Sequence, residues 1–231
     1  MNILTRLLGY EKQRKRLLKK APEGPLRDYF SVPLPSMDCP ISEAPLLALD
    51  FETTGLNPKV DQILSAGYLN IEHNEIVLNT SHHAIVNTDG ELKEESVIIH
   101  QITDDHKKSQ GQSLEQTVSD LLDALAGKVM LVHFAHIERS FLNDACHKLY
   151  GMAPIYPIID TFALAKRRLD MKSAGYDPSA LRLSNLRDTA TLPRYSAHNA
   201  LTDALATAEL LFAEVAMMDH KTSPPLKNLI L

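Results

Sequence analysis

Leu46-Leu47-Ala48-Leu49-Asp50-Phe51-Glu52-Thr53-Thr54-Gly55-Leu56 is the stretch on which the reading of the chain turns. Four apolar residues in a row ahead of Asp50 predict a short buried strand that ends in carboxylates. Alternation along a strand puts Asp50 and Glu52 on the same face, side by side. Two like charges so close repel unless something cationic sits between them, and hard oxygen donors suit Mg²⁺ or Mn²⁺. Thr53-Thr54-Gly55 then predicts a tight turn at which backbone comes close to a ligand. The plain alternative is a strand end capped by solvated acids.

Downstream, residues 62–72 and 75–87 are rich in Ile, Val, Leu and Tyr and predict two strands around a turn at His73-Asn74. Leu114, Val118, Leu121, Leu122 and Leu125 recur at helical spacing over 113–126, with Ser113 as cap and Gly127 as stop. Strands follow at Val129–Val132 and Ile155–Ile159. Helices are expected over 138–149, from Asp160 to about Leu169, and over the Ala/Leu-rich residues 200–218. A hairpin followed by helix–strand alternation predicts an α/β domain, a mixed β-sheet flanked by helices, over residues 46–231.

Residues 1–45 differ in character. They hold eight basic against five acidic residues, whereas the rest of the chain holds 16 basic against 24 acidic. Residues 1–20 predict a basic amphipathic N-terminal helical arm, which either packs on the domain, the favoured reading, or docks a partner. Pro22, Pro25, Pro33, Pro35 and Pro40 make residues 21–45 an extended linker or surface wrap. So acidic a body repels phosphates, so if the substrate is nucleic acid, metal ions are the expected mediators. The remaining composition is that of a globular protein, with 44% hydrophobic and 23% charged residues in 231. No apolar run approaches the roughly 18 residues that span a bilayer, so no membrane role is expected. Two cysteines, Cys39 and Cys146, make neither a disulfide framework nor a cysteine-rich zinc site, and the N-terminus lacks the apolar stretch of a signal peptide. The expected compartment is the reducing cytoplasm.

Two further segments carry chemistry. In Tyr195-Ser196-Ala197-His198-Asn199-Ala200-Leu201-Thr202-Asp203, His198 lies just before the long helix and Asp203 in its first turns. An Asp there could hold a metal while the imidazole, with an ordinary pKa of about 6.5, reaches a water beside it. A lone loop histidine is otherwise a surface residue. In His133-Phe134-Ala135-His136-Ile137-Glu138, a strand ends near His133 and a helix starts near Glu138, so a carboxylate again sits at a strand–helix junction. Stabilising the helix N-terminus would explain it equally well.

Together these segments resemble the DEDDh branch of the DnaQ-like 3′–5′ exonucleases, over about residues 46–215. The first segment matches the family's D-x-E-T-T-G-L motif completely, and the spacing from His198 to Asp203 matches its last motif. The middle motif, usually H-N-A-x-F-D, matches in part: Phe134 stands where Asn is usual and Glu138 where Asp is usual, so the charge survives with an extra methylene and the amide does not. Ile99-His100-Gln101-Ile102-Thr103 looks like the family's V-H-G-I segment. Asp160-Thr161 looks like a D-T pair opening a later helix, with Asp160 read as a cap.

The resemblance implies a ribonuclease H-like fold and an exonuclease domain over 46–231. It implies that Asp50, Glu52 and Asp203, completed by Glu138, hold two divalent cations, Mg²⁺ or Mn²⁺. His198 would take the proton from the attacking water, and Thr53, Thr54, Leu56 and His100 would bind the 3′-terminal nucleotide. The implied reaction is hydrolysis of DNA from the 3′ end to nucleoside 5′-monophosphates, as in replication or repair. The implied partners are single-stranded DNA or a frayed 3′ end. A polymerase or other protein could dock on the N-terminal arm or on the tail Pro224–Leu231, though packing as an ordinary terminal segment is the favoured reading of that tail. Two alternatives stand beside this: an RNA or oligoribonucleotide exonuclease of the same fold, and a non-catalytic nucleic-acid- or polymerase-binding module.

Overall fold

A computed structural model describes residues 9–88, 102–171, 175–196, 198–218 and 223–231. His100 and residues 1–8 of the basic arm lie outside the described residues. Strand β1 (Leu46–Thr53) carries both carboxylates and ends just after them, as expected. It is the middle of a five-stranded sheet. On one side it pairs antiparallel with β2 (Ile63–Glu72), and β2 with β3 (Glu75–Ile85). On the other side lie β4 (Val129–Val132) and β5 (Ile158–Asp160), both parallel to it, so the sheet is mixed as expected.

The period of two along β1 divides the molecule into two cores. Leu47, Leu49 and Phe51 face the layer built by α4 (Leu114–Leu125) and α5 (His136–Tyr150). Leu46 and Ala48 face α6 (Thr161–Met171) and α8 (Ala200–Ala216), whose Ala204, Ala208 and Leu211 pack against them. Asp50 and Glu52 continue that second face, so they emerge beside the start of α8. Ser113 caps α4 as expected, its side chain accepting from the Gln116 N–H.

Gly67 sets how closely α8 comes. It sits opposite Asp50 in the ladder, and a Cβ there would collide with the backbone of Ala200 and Leu201. The bare backbone lets the first turn of α8 lie on the sheet at the level of the carboxylates.

The helix expected over residues 1–20 is present from Tyr10, whereas residues 21–45 are less extended than their prolines imply. Helix α1 (Tyr10–Leu18) packs Tyr10, Leu17 and Leu18 against the core, and its buried Arg14 bonds to the Phe30 carbonyl and to Glu11. Residues 25–31 fold as helix α2 (Pro25–Ser31), with Leu26, Tyr29 and Phe30 buried and the Tyr29 hydroxyl donating to the Ile155 carbonyl at 2.7 Å. Pro25 opens this helix, at the one position where its missing N–H costs nothing. Two other short helices were not anticipated, α3 (Asp104–Gln110) and α7 (Leu183–Thr189). The C-terminal segment packs in the ordinary way: Leu226 and Leu229 are buried, and its backbone bonds to Met37, Cys39 and Ile158. Among the described residues no helix is long and apolar enough to cross a membrane.

Candidate active site

Three carboxylates converge where β1 meets α8. Asp50, Glu52 and Asp203 each offer an oxygen, and the three lie within 4.8 Å of one another. Strand alternation supplies the first two and the close approach over Gly67 brings the third. Asn199 caps α8, its side-chain oxygen accepting from the Thr202 N–H at 3.0 Å. The Asp203 carboxylate accepts the backbone N–H of His198 at 2.8 Å, which holds His198 at the mouth with its backbone in the left-handed region, φ 69°.

Glu138 enters from the other side. It lies in the first turn of α5, is 3% exposed, and its Oε2 has no hydrogen-bond partner. Burial pushes its carboxyl up to about 8, with the charges of Asp160 and Glu52 adding to that and the backbone N–H groups of Phe51 and Glu138 opposing it. Glu138 is not one of the three clustered acids, but its charge reaches Asp50. Burial first, then Glu138, Glu52 and Asp203, holds Asp50 well above the usual carboxylate range. Asp203 is raised by burial as well, opposed by the His198 N–H. Buried acids that also crowd one another resist ionisation, and a cation between them relieves both costs. With an all-oxygen donor set and one buried oxygen without a partner, the cluster fits hard divalent cations.

Around this centre the turn after β1 is held from below. Thr53 Oγ1 donates to the Gly55 carbonyl at 2.7 Å, and the Asp61 carboxylate accepts the Asn57 N–H at 2.9 Å and the Thr54 hydroxyl at 3.3 Å. A Cβ on Gly55 would press into that Asp61 carboxylate, which explains the glycine. Leu56 stands 73% exposed at the tip.

Several residues that shape the site gave little sign of it in the sequence. Asp160 caps α6 through the Phe162 N–H, as expected, but it also accepts the N–H groups of Phe134 at 2.9 Å and Ala135 at 3.0 Å, tying β5 to the turn that aims Glu138. His133 is bridged between Thr161 Oγ1 (2.9 Å) and the Leu181 carbonyl (3.1 Å), and burial lowers its pKa, so it is a structural imidazole. His83, opposite Gly67 on β3, has a pKa lowered by burial and raised in part by the charge of Glu52.

A family model described as Exonuclease, RNase T, matches residues 47–211. The chain belongs to this exonuclease family. It is 32% identical over 183 residues to the PolC-type DNA polymerase III of Thermotoga petrophila, a match covering 79% of this chain and 13% of that protein. The chain thus spans only a small part of the PolC relatives it matches. It is 28% identical to the DNA polymerase III epsilon subunit of Treponema pallidum, covering 79% of this chain and 86% of that one. Among solved structures, cell-death related nuclease 4 superposes with a TM-score of 0.65 at 16% identity, covering 78% of this chain and 66% of that one. E. coli exonuclease I in complex with a dT13 oligonucleotide gives a TM-score of 0.66 at 13% identity, covering 76% of this chain and 41% of that one. At such identities the structures show the fold, which is ribonuclease H-like.

Proposed function

We propose that the chain is a metal-dependent 3′–5′ exonuclease that shortens DNA to nucleoside 5′-monophosphates, working in the cytoplasm on single-stranded DNA or a frayed 3′ end. The observation that carries this is the meeting of Asp50, Glu52 and Asp203 beside a histidine tied to one of them. The family membership and the epsilon and PolC relatives support the direction of attack, the choice of DNA and a polymerase as the protein partner.

In this reading Asp50, Glu52 and Asp203 hold two divalent cations, Mg²⁺ or Mn²⁺, with Glu138 completing the second site. When bound, such ions neutralise the scissile phosphate and stabilise the entering and departing oxygens. His198 accepts the proton of the attacking water on a ring nitrogen, its backbone held by Asp203. The water oxygen bonds to phosphorus as the bond to the 3′ oxygen of the preceding nucleotide breaks, and that oxygen takes a proton from solvent to become the 3′-hydroxyl of the shortened strand as the nucleoside 5′-monophosphate leaves. Thr53, Thr54 and the exposed Leu56 offer backbone and apolar surface to the terminal nucleotide at the turn after β1. An overall acidic body makes the cations essential for phosphate to approach at all.

The test is digestion of 5′-labelled single-stranded DNA, a duplex with a frayed 3′ end, and RNA of the same sequence, each with Mg²⁺, with Mn²⁺ and with chelator. The expected result is a ladder from the 3′ end of DNA that chelator abolishes and that Asp50→Asn lacks. Preferential digestion of RNA would move the assignment to an oligoribonucleotide exonuclease. A labelled strand that stays full-length under every condition would leave a binding module.

A further inference from the structure

Phe134 is placed expensively. The parallel register of β1 and β4 pairs Ala48 with Leu131, so the chain leaving β4 runs out level with Asp50 and Phe51. Phe134 therefore lies level with the end of β1 that carries the carboxylates, four residues before Glu138. The residue is 45% exposed, and its backbone sits at φ 74°, a conformation unfavourable to residues with a Cβ, though less so to Asn. Its ring meets Phe162 at 5.2 Å and His136 at 6.1 Å edge-on, and much of the residue is left open to solvent.

The strained turn is nonetheless held firmly. Both oxygens of Asp160 accept from it, from the Phe134 and Ala135 N–H groups, and one of them also accepts the Phe162 N–H at 2.9 Å. Two aromatic residues are thus fixed by one carboxylate, and strain that persists because its surroundings enforce it is characteristic of functional positions. A rigid, half-exposed ring loses little freedom on stacking, and every base has a face to offer it. Stacking also needs no positive charge, which suits a chain of net charge −5.

We propose that Phe134 is a stacking platform for a nucleobase of the strand whose 3′ end lies at the carboxylate cluster, so that it sets affinity for unpaired strands. This rests on the exonuclease reading above.

Steady-state kinetics of the full chain with Mn²⁺ on a 5′-fluorescein dT oligonucleotide test it, together with the same oligonucleotide carrying abasic residues in place of its 3′-terminal bases. For Phe134→Ala, KM should rise roughly tenfold, the usual worth of one stacked base, with a smaller change in kcat. Phe134→Trp should keep the wild-type KM. Phe134→Asn should raise KM as Ala does while raising the melting temperature, because Asn tolerates the left-handed backbone. On the abasic substrate, wild type and Phe134→Ala should coincide. A Phe134→Ala enzyme with wild-type KM, or one equally impaired on the abasic strand, overturns the platform while leaving the exonuclease reading intact. A wild type that hydrolyses nothing overturns both.

Discussion

The backbone N–H of His198 donates to the carboxylate of Asp203 across five residues, at 2.8 Å. One carboxylate thus belongs to the acidic cluster and also positions the chain that carries the imidazole. The spacing of the two residues in the sequence has this physical meaning: the Asp lies one turn inside α8, and the loop ahead of the helix folds back onto it.

Replacing His198 should therefore separate chemistry from structure. The ring is exposed and its backbone has φ 69°, so His198→Asn keeps a residue that accepts the left-handed region. The expected outcome is a kcat lower by about 10²–10⁴-fold, the range for a positioned general base, at an unchanged melting temperature. Single-turnover hydrolysis and calorimetry on the same preparation check it. His198→Ala should lose as much rate and also some stability.

The crowded acids set how the metal-free protein responds to pH. Glu138 titrates near 8, and Asp50 and Asp203 are likewise raised. An unfolded carboxyl has lost its proton by about pH 5, whereas folded Glu138 keeps its proton up to about pH 8 and Asp50 and Asp203 hold theirs above the ordinary range. The native state then binds more protons than the unfolded one, and stability falls as pH rises through that window. In chelator, the melting temperature should be lower at pH 8 than at pH 5.5. Mn²⁺ should reverse the loss at pH 8 and do less at pH 5.5, where Glu138 still holds its proton. A melting temperature that rises with pH in chelator would show that the carboxylates do not crowd as described.

How much of this was legible in the sequence follows from range. The Asp50–Glu52 pairing needed only the period of a strand, and Ser113, Asp160 and Pro25 are local signals of helix starts, although Pro25 was read as a breaker. That the charge of Glu138 reaches Asp50 is foreshadowed by its place at a strand–helix junction. What the sequence hid are contacts between distant segments. Gly67 in β2 looks like any strand glycine until α8 is laid over it. Asp160 shows its capping role locally, but its hold on Phe134, 26 residues earlier, needs β4 and β5 side by side. Helices α2, α3 and α7 have seven residues each, too few for a helical period to declare itself.

Arg187 is another such hidden contact, and its removal makes the last test. It lies in α7, 3% exposed, and donates to the Ala206 carbonyl (2.6 Å), the Pro193 carbonyl (2.8 Å) and Glu209 (2.7 Å). Its guanidinium also lies 4.6 Å from the centre of the Tyr195 ring, whose hydroxyl donates to Glu209. Pro193 and Tyr195 belong to the segment leading into His198, so a buried cation on one helix anchors that segment to the middle of α8. Arg187→Met should leave Glu209 without its counter-charge and free the carbonyls. Because Glu209 keeps partial access to water, the expected cost is about 1–3 kcal/mol, below that for a fully buried pair. The catalytic signature is the informative part. With the segment loosened, kcat should fall more than KM for the oligonucleotide changes, since Arg187 holds the segment that leads into His198. Arg187→Lys keeps the charge but not the fork or the flat stacking face, and should recover stability more fully than rate. Equal kcat in wild type and Arg187→Met, measured below the melting temperature of both, would show that His198 is held by Asp203 alone.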